Sequence, residues 1–348
     1  MRALLEAGLT VEVMGLGDAA AGPPGVAVRV WPRGTMVDRA LRAVRLPWTA
    51  HGRVLLLIDP DTVPSALLAR RLRGCPVVAD VHEDYAAVLH DRSWVPSGLL
   101  GLLSWLTARC VDLAGRADLT VVADEHVPPG KSATRRRLVV RNLPDLSMMP
   151  DVPELLVSGG SAGMQWRALY VGDLRESRGL DDMLRAVAAA PGWHIDLVGP
   201  VSRTERERVQ ALIGPELAGR VVWHGRLPPR QAWELAAGAS VGMALLKDTP
   251  AFRDAVPTKV YEYLACGLAV LSTPLPRVAQ LLDASGGGRI VRDATEAGDV
   301  LRGWFGEHQD ELLVHREAGL RWARSELHGP SPYARLAAEM RTVVETRR

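Results

Sequence analysis

Short apolar runs alternate with amphipathic stretches along most of the chain. In the first 144 residues the strand-like runs are TVEVMGLG, GVAVRVW, RVLLLIDPD, PVVADVHEDY, LTVVAD and RLVVRNLP. They resume with RALYVGD, WHIDLVGP, RVVWHGRL, SVGMALL and LAVLSTP, separated by helical stretches such as 180–190 and 230–238. Strands that are apolar throughout are buried on both faces, and their alternation with helices predicts parallel sheets. We therefore expect an α/β protein with doubly wound sheets.

A looser segment separates the two series of strands. Residues 146–166 contain Pro150, Pro153 and the run SGGSAG, a composition typical of a linker. The sequence therefore predicts a Rossmann-like N-terminal domain over 1–145 and a second such domain over 167–325. Ligands of doubly wound sheets bind at the carboxyl ends of the strands, so this edge is where we look for chemistry.

Composition excludes several classes of protein. With 348 residues, 47% hydrophobic and 24% charged, the chain can form two cores. Its 42 basic and 40 acidic residues nearly cancel, which argues against a nucleic-acid-binding surface. Cys75, Cys110 and Cys266 are isolated, so neither a disulfide framework nor a zinc site is predicted. A cytoplasmic protein fits best, and the excess of arginine over lysine is typical of a GC-rich bacterial genome.

No targeting segment is expected. The opening MRALLEAGLTVEV has the period of a helix leading into a strand, not that of a secretory signal. The apolar run SGLLGLLSWLTA at 97–108 is about a dozen residues long, too short for a bilayer-spanning helix of about 20 residues. We favour a core helix here. Peripheral docking on the inner face of a membrane is the alternative, because Arg92, Trp94 and Arg109 flank the run.

Residues 257–274, PTKVYEYLACGLAVLSTP, predict a helix that could hold a phosphate. Pro257 is typical of a first helical turn, and Gly267 is a natural left-handed stop before an apolar strand. Lys259 and Glu262 are three residues apart and so share a face. The helix N-terminus and Lys259 offer positive charge to a diphosphate, while Glu262 can accept hydrogen bonds from ribose hydroxyls. The alternative is an ordinary solvated Lys–Glu pair on a surface helix.

Two other motifs are interpreted as structural. GLGDAAAG at 15–22 loosely resembles a dinucleotide fingerprint, but Pro23 follows where a helix should begin. The DPD at 59–61 could bind a metal ion with two carboxylates. We favour instead a helix-capping role for Asp61 or Thr62.

Four motifs of the second half occur in the order found in retaining glycosyltransferases of family 4. They are YVGDLRESRGLDDMLRAV (170–187), VGP (198–200), HGRL (224–227) and the helix at 257–267. In the first half, VVADVHEDY (77–85) and VVRNLP (139–144) are similar to that family with lower specificity. The resemblance implies the GT-B fold, in which two Rossmann-like domains face a central cleft. It also implies that the C-terminal domain binds the donor and that residues 326–348 form a helix crossing back to the N-terminal domain.

The implied activity is retaining transfer of a hexosyl group from a nucleotide-diphosphate sugar to a hydroxyl acceptor. The acceptor class would be a cell-envelope glycan, a lipid-linked glycan or a small molecule. No cofactor and no metal ion are expected. Family members begin with a strand that is apparently missing ahead of Met1. Either the start codon is assigned too late, which we favour, or the protein lacks this central strand. Two alternatives therefore stay open: a non-catalytic nucleotide-sugar-binding or assembly protein with a degenerate site, and a nucleotide-sugar epimerase of the same fold.

The family's Glu-x7-Glu signature falls on Asp254 and Glu262. The resemblance implies that Glu262 contacts the ribose and that Asp254 lies near hydroxyls of the donor sugar, although aspartate is one methylene shorter than the family's glutamate. The family's basic pair falls on Asp173 and Arg178, so that only Arg178 keeps its charge. Arg175 or Lys259 could supply the missing cation.

The remaining site residues are also implied by the resemblance. His82 is expected on the donor side with a catalytic role, together with Arg178, Lys259 and Asp254. Weaker acceptor-side candidates are Glu83, Tyr85, Arg92 and Trp94. The expected donor-binding residues are Glu262, Gly172, Arg175, Gly199, Arg226, Leu227, Arg253, Ala255 and Val256.

Overall fold

The computed structural model describes residues 1–17, 25–32, 34–90, 95, 97–152, 166–210, 213–329 and 331–345. Arg92 and Trp94, most of the expected linker and most of the glycine-rich run at 15–22 lie outside the described residues.

The strands in chain order are β1 (Glu12–Leu16), β2 (Ala27–Trp31), β3 (Leu55–Leu57), β4 (Val77–Val81), β5 (Leu119–Val122), β6 (Arg137–Val139), β7 (Arg167–Val171), β8 (His194–Val198), β9 (Val221–Gly225), β10 (Val241–Ala244), β11 (Ala269–Ser272) and β12 (Gly288–Ile290). Every strand-like run named above contains one of them. The short β12 escaped the sequence analysis, because GRI carries little apolar signal.

The α-helices in chain order are α1 (Arg2–Glu6), α2 (Met36–Thr49), α3 (Val63–Arg73), α4 (Tyr85–Leu89), α5 (Leu100–Ala114), α6 (Leu180–Ala189), α7 (Arg203–Gln210), α8 (Pro229–Glu234), α9 (Pro250–Arg253), α10 (Thr258–Ala265), α11 (Pro276–Ser285), α12 (Ala294–Phe305), α13 (Gln309–Glu326) and α14 (Pro332–Glu345). Short 3₁₀-helices occur at Pro60–Thr62, Ser97–Leu99, Lys131–Ala133, Leu146–Met148, Glu176–Arg178, Pro215–Leu217 and Leu235–Gly238.

The chain divides into two compact units. Unit 1 comprises Met1–Asn142 with Pro330–Arg348, and unit 2 comprises Leu143–Gly329. Helix α14 therefore belongs to unit 1, where Leu336 and Met340 are buried in a core shared with Leu4 of α1.

Unit 2 is built on a six-stranded parallel sheet of order β12-β11-β10-β7-β8-β9. Alternate residues of each strand enter opposite cores: Ala168 and Tyr170 of β7 lie in one, while Leu169 lies in the other. The chain runs outward from β7 through β8 to β9 and then returns to β10 on the other side of β7. The topological switch point therefore lies between β7 and β10. In a doubly wound sheet, ligands bind at the carboxyl ends of the strands beside this point.

Unit 1 contains a four-stranded parallel sheet of order β3-β4-β5-β6 and a separate parallel pair, β1-β2. Both faces of the larger sheet are covered. Val77 and Ala79 of β4 face the core that α3 and α5 help to form, and Val78 faces the core that α1 and α14 help to form. Helices α3 and α14 thus lie on opposite faces of one sheet.

Three local expectations need correction. The helix predicted at 257–267 begins at Thr258, with Pro257 just before it, although Gly267 does adopt the left-handed conformation, with φ 68°. Asp61 and Thr62 do not cap α3. The hydroxyl of Thr62 instead donates a hydrogen bond to the carbonyl of Asp59 at 2.7 Å, and no side chain caps that helix in the described structure.

The helix predicted at 97–108 is not a core helix. Helix α5 runs to Ala114 and is buried only near its end, at Val111 and Ala114. The apolar side chains earlier in the helix face solvent, with Leu102 and Trp105 more than half exposed. An apolar run without a polar face does not reveal which side will pack, so this choice depended on the fold.

Candidate functional site

The carboxyl edge of unit 2 is shaped by two closely packed loops. Gly172 follows β7 and Gly199 follows β8, with φ of 146° and 143°. A Cβ atom on Gly199 would lie 1.8 Å from the Gly172 carbonyl oxygen, so the two backbones can approach only because Gly199 has no side chain. A Cβ on Gly172 would lie 2.9 Å from Nζ of Lys259. The bare backbone of the β7 loop is therefore what lets Lys259 reach this edge.

Lys259 lies in the first turn of α10 and is 6% exposed. Its Nζ is 3.7 Å from the centre of the Tyr170 ring. Within the described residues the buried Nζ has no hydrogen-bond partner. Burial lowers the pKa of Lys259 well below its ordinary value, and the positive charge of Arg178 lowers it further. The sequence left open an alternative in which Lys259 and Glu262 form a solvated surface pair. That alternative does not fit, because the ammonium of Lys259 is buried and has no acceptor in the described structure.

Arg178 converges on the same place from the loop after β7. Its guanidinium carbon is 5.2 Å from the centre of the Phe252 ring, and its buried Nε has no hydrogen-bond partner among the described residues. Burial raises the pKa of the Tyr170 phenol, and the positive charge of the nearby Arg178 opposes that shift. Lys259 and Arg178 therefore meet around Tyr170. Their role as a shared anion site stays a prediction.

Two hydroxyls that the sequence analysis missed add to this pattern. Ser177, just before Arg178, and Thr249, just before α9, have buried oxygen atoms without a hydrogen-bond partner in the described part of the chain. Buried polar groups are almost always satisfied, so unsatisfied ones gathered in the loops after β7 and β10 indicate a place for a ligand. Only their position in the sequence could have identified these two residues, because both follow strands that border the switch point. Their residue types alone are common in loops.

Glu262 lies one turn along α10 from Lys259. Burial raises the pKa of its carboxyl to about 7, and the positive charge of Lys259 partly offsets this. A carboxylate here can accept two hydrogen bonds from vicinal hydroxyls. The structure thus places Glu262 beside Lys259. Their contacts with a ribose and a diphosphate stay predictions.

Asp173, which departs from the family pattern, is neutralised within its own loop. Its carboxylate is 2.6 Å from Nη2 of Arg175. The carboxylate therefore repels an approaching anion less than an isolated aspartate would, and Arg175 is less available to that anion than the sequence suggested.

The segment after α9 is only partly free to bind. The side chain of Arg253 is engaged by both carboxylate oxygens of Asp248 at 2.9 Å. Its backbone amide donates to Thr249, and that of Ala255 donates to Phe252. The backbone amides of these two expected donor-binding residues are thus already used within the loop. The exposed Asp254 and half-buried Val256 lie beside them.

The expected residues after β9 lie at the same edge. The amide of Gly199 donates to the carbonyl of Gly225, the last residue of β9, at 2.8 Å. Arg226 follows with an exposed side chain, and Leu227 packs partly buried against the core next to α10. Of this pair, only Arg226 presents a charged group to solvent.

His82 belongs to unit 1, at the carboxyl end of β4. Its Nδ1 lies 2.9 Å from the hydroxyl of Tyr85, which donates to the carbonyl of Ile58 at 2.7 Å. Burial, reinforced by the negative charge of Asp59, raises the pKa of Tyr85, so the phenol stays protonated. Tyr85 thus orients His82. The role of the exposed His82 side chain toward a donor stays a prediction.

The described residues contain no cluster of three or more histidine, cysteine, aspartate or glutamate side chains suited to a metal ion. At the edge of unit 2 the functional groups are instead two cations, two hydroxyls and one carboxyl. This arrangement suits a ligand in which a diphosphate is attached next to two vicinal hydroxyls.

Residues 165–302 match the family described as glycosyl transferases group 1. The chain carries a group 1 glycosyltransferase domain. The matched residues contain the whole sheet of unit 2 and every residue of the cation cluster just described. Family 4 in particular remains the expectation drawn from the motifs. No curated protein sequence matches the chain.

Solved structures similar to this chain include three with very low sequence identity. Sucrose-phosphate synthase from Thermosynechococcus elongatus has a TM-score of 0.72 and 15% identity, covering 99% of this chain and 90% of that one. Anabaena Alr3699/HepE in complex with UDP-glucose has a TM-score of 0.68 and 14% identity, covering 95% and 99%. WaaG, a glycosyltransferase involved in lipopolysaccharide biosynthesis, has a TM-score of 0.62 and 17% identity, covering 97% and 92%.

These similarities show the fold, which is GT-B with two Rossmann-like domains, as predicted. The described part of the chain has no helix with the length and hydropathy needed to traverse a bilayer.

Proposed function

We propose that the glycosyltransferase domain binds a nucleotide-diphosphate sugar and that the protein transfers the hexosyl group to a hydroxyl acceptor with retention of configuration. One observation carries the proposal: Lys259 is buried against Tyr170, and both Nζ of Lys259 and Nε of Arg178 are buried atoms that have no acceptor in the described structure. Burying an unpaired cation is costly, and an anionic ligand would remove that cost. A diphosphate carries the required charge.

The proposed chemistry is electrostatic. The bond between the anomeric carbon and the diphosphate oxygen breaks, leaving positive charge on the sugar and negative charge on the phosphate. Lys259 and Arg178 are already in place to stabilise that negative charge, which is the most effective form of transition-state stabilisation. They would do so without a metal ion. Glu262 would hold the ribose and so fix the diphosphate against the two cations.

Retention follows from attack on the face that the leaving group occupied. The acceptor oxygen forms the new bond to the anomeric carbon, and its proton passes to the leaving phosphate. This route requires no covalent nucleophile on the protein. Asp254 would contact hydroxyls of the donor sugar in this proposal.

Uridine nucleotides are the first donors to test. Among similar structures, Alr3699/HepE was solved with UDP and with UDP-glucose. An exposed carboxylate at Asp254 and the neutralised Asp173 leave room for a weaker, non-catalytic binder. Donor turnover distinguishes the two functions.

The test combines binding with turnover. We expect UDP or GDP, and their sugars, to raise the melting temperature of the wild-type protein, since a ligand of the folded state stabilises it by mass action. Slow hydrolysis of the matching sugar nucleotide should accompany binding and disappear in Arg178→Gln and Glu262→Gln. The matched control is Arg321→Gln, because Arg321 is an exposed arginine of α13 whose nearest carboxylate contact, with Glu317, is 3.8 Å.

Each result bears on a separate part of the proposal. The absence of a shift with any nucleoside diphosphate would overturn it. A shift without hydrolysis, and without transfer to any hydroxyl acceptor supplied, would identify a binding protein instead of an enzyme.

A further inference from the structure

One face of unit 1 exposes apolar side chains in a regular pattern. On α2, Val37, Leu41, Val44 and Trp48 are 69%, 50%, 56% and 37% exposed. Their spacing of i, i+4, i+7 and i+11 places them in one stripe along the helix. Ala43 and Pro47, the buried residues of α2, lie on a different side of it. Most of the stripe therefore takes no part in attaching α2 to the rest of unit 1. The exception is Trp48, whose indole N–H donates a hydrogen bond to the hydroxyl of Ser65 on α3 at 2.9 Å.

Helix α5 and the turn before it present a second stripe. Leu99, Leu102, Trp105 and Leu106 are 50%, 56%, 55% and 45% exposed. The guanidinium of Arg109 stacks 5.7 Å from the centre of the Trp105 ring. A tryptophan beside an arginine is typical of groups at a membrane–water interface.

Helix α3 connects the two stripes, because it packs against both α2 and α5. Its outward side chains Leu68 and Leu72 are 53% and 69% exposed. Together the three helices cover one side of unit 1 with exposed apolar residues. We name this set the apolar face: Val37, Leu41, Val44, Trp48, Leu68, Leu72, Leu99, Leu102, Trp105 and Leu106.

The charged side chains on α2, α3 and α5 are mostly positive. Arg45, Arg71 and Arg109 lie beside these apolar residues and have exposed side chains. Arg39 lies on the opposite side of α2, near Asp61. The carboxylates of α2 and α5 are already engaged. Asp38 accepts hydrogen bonds from Thr35 in the capping box of α2, and Asp112 lies 3.5 Å from Arg109.

We propose that the apolar face docks unit 1 on the surface of an anionic lipid bilayer. Such a surface offers apolar volume to the leucine, valine and tryptophan side chains and negative headgroups to the arginines that flank them. The cationic rim selects an anionic partner, and the spread of the apolar residues over three neighbouring helices suits a broad surface better than a single groove. The inference concerns unit 1 alone and does not depend on donor binding by unit 2.

Flotation with lipid vesicles tests the proposal. We expect the wild-type protein to float with vesicles of phosphatidylglycerol and phosphatidylcholine, to remain unbound with phosphatidylcholine alone, and to dissociate as salt is raised. The double variant Leu41→Gln with Val44→Gln removes apolar contact, and Arg45→Gln with Arg71→Gln removes charge. Each should weaken partitioning about tenfold or more, since basic residues near such a surface contribute about 1 kcal/mol each.

Matched controls come from surfaces outside the apolar face. Val314 of α13 is 61% exposed, and Arg341 is exposed on α14, on the opposite side of the unit 1 sheet. Val314→Gln and Arg341→Gln should bind vesicles as the wild type does. Circular dichroism checks that all the variants are folded.

Insertion provides an independent readout. Brominated lipid should quench part of the tryptophan emission of the bound protein, and Trp105→Ala should lose part of that quenching. Three results would overturn the proposal. They are no flotation of the wild type, equal losses in the control variants, or a wild-type dimer that Leu41→Gln with Val44→Gln converts to a monomer while vesicles remain unbound.

Discussion

The ammonium of Lys259 lies over the face of the Tyr170 ring, 3.7 Å from its centre. Tyr170 lies near the carboxyl end of strand β7, and Lys259 lies in the first turn of α10, nearly 90 residues later. The negative face of an aromatic ring attracts a cation, but it does not replace a hydrogen-bond acceptor. The folded protein therefore holds this cation without a full partner, ready for an anion.

Replacing Lys259 should have opposite effects on the stability of the ligand-free protein and on nucleotide binding. We expect Lys259→Met to raise the stability of the ligand-free protein by about 1–3 kcal/mol, because it removes a buried polar group that lacks a partner. The same variant should lose the thermal shift caused by nucleoside diphosphates. Differential scanning fluorimetry, with and without nucleotide, measures both effects.

The control for this change is Lys247→Met, which removes a half-exposed lysine that pairs with Glu176 at 2.5 Å. We expect it to leave ligand-free stability nearly unchanged, since exposed ion pairs contribute at most about 1 kcal/mol. A clear loss of ligand-free stability in Lys259→Met would show that the ammonium is not an uncompensated group.

The carboxyl of Glu262 should make stability depend on pH. Its pKa is raised from an ordinary 4.5 to about 7 in the folded state, so the fold favours the protonated form. That contribution is complete below pH 4.5 and is lost as pH rises to about 7, a change on the order of 1–3 kcal/mol.

Glu262→Gln cannot titrate and should therefore show a smaller fall in melting temperature between pH 5 and pH 8 than the wild type. Glu317→Gln on α13 is a suitable control because the carboxylate of Glu317 is on the surface, with about half of its side chain exposed. Parallel pH curves for wild type and Glu262→Gln would contradict the prediction.

The contact between the β7 and β8 loops should tolerate no side chain at Gly199. A Cβ atom there would lie 1.8 Å from the carbonyl oxygen of Gly172, so the backbones must separate. We expect Gly199→Ala to destabilise unit 2 by more than about 3 kcal/mol, measured by chemical denaturation.

Gly219→Ala measures the cost of a positive φ without a steric clash, and so separates it from the cost of the clash at Gly199. Gly219 also has a positive φ, 75°, but a Cβ there would meet no atom within 4 Å. Its substitution should cost only about 1–2 kcal/mol. Equal losses in the two variants would mean that the loop contact is not what requires Gly199.

The buried hydroxyl of Thr249 should matter for the ligand and little for the fold. Thr249→Val removes an oxygen that has no partner in the described structure, so ligand-free stability should stay within about 1 kcal/mol of wild type. The affinity for nucleoside diphosphates should fall by about threefold to tenfold, which corresponds to the loss of one hydrogen bond. Isothermal titration calorimetry measures the affinity.

Thr273→Val provides the comparison, because the hydroxyl of Thr273 donates to the carbonyl of Leu246. Loss of that bond should destabilise the fold by about 1 kcal/mol and leave affinity unchanged. If Thr249→Val behaves in the same way, Thr249 is a structural residue and its hydroxyl does not contact the ligand.

The sequence predicted the strands of both sheets well, because a parallel strand buried on both faces is an uninterrupted apolar run. It also predicted that Lys259 and Glu262 share a helix face and that Arg178 lies with them, since helical spacing and the family motifs are local. It did not predict Ser177 or Thr249. Nothing local distinguishes a loop hydroxyl that is buried without a partner from one that is solvated.

Surface exposure was the other failure. The run at 97–108 is apolar on all sides, so its composition fits a core helix and an exposed stripe equally well. The apolar stripe of α2 was not predicted, because arginines alternate with its apolar residues in the sequence. Only the packing of α2, α3 and α5 decides which of their side chains face outward.

The amino-acid sequence by itself determined the α/β class, the succession of strands and helices, and the chemical types available at the strand ends, because these depend on periodicities of a few residues. The tertiary structure decided that Lys259 is desolvated against Tyr170, that Asp173 is neutralised by Arg175, and that the apolar face stays exposed. Burial and charge compensation depend on which segments meet in space. Residues far apart in the chain meet only when the whole sheet has formed.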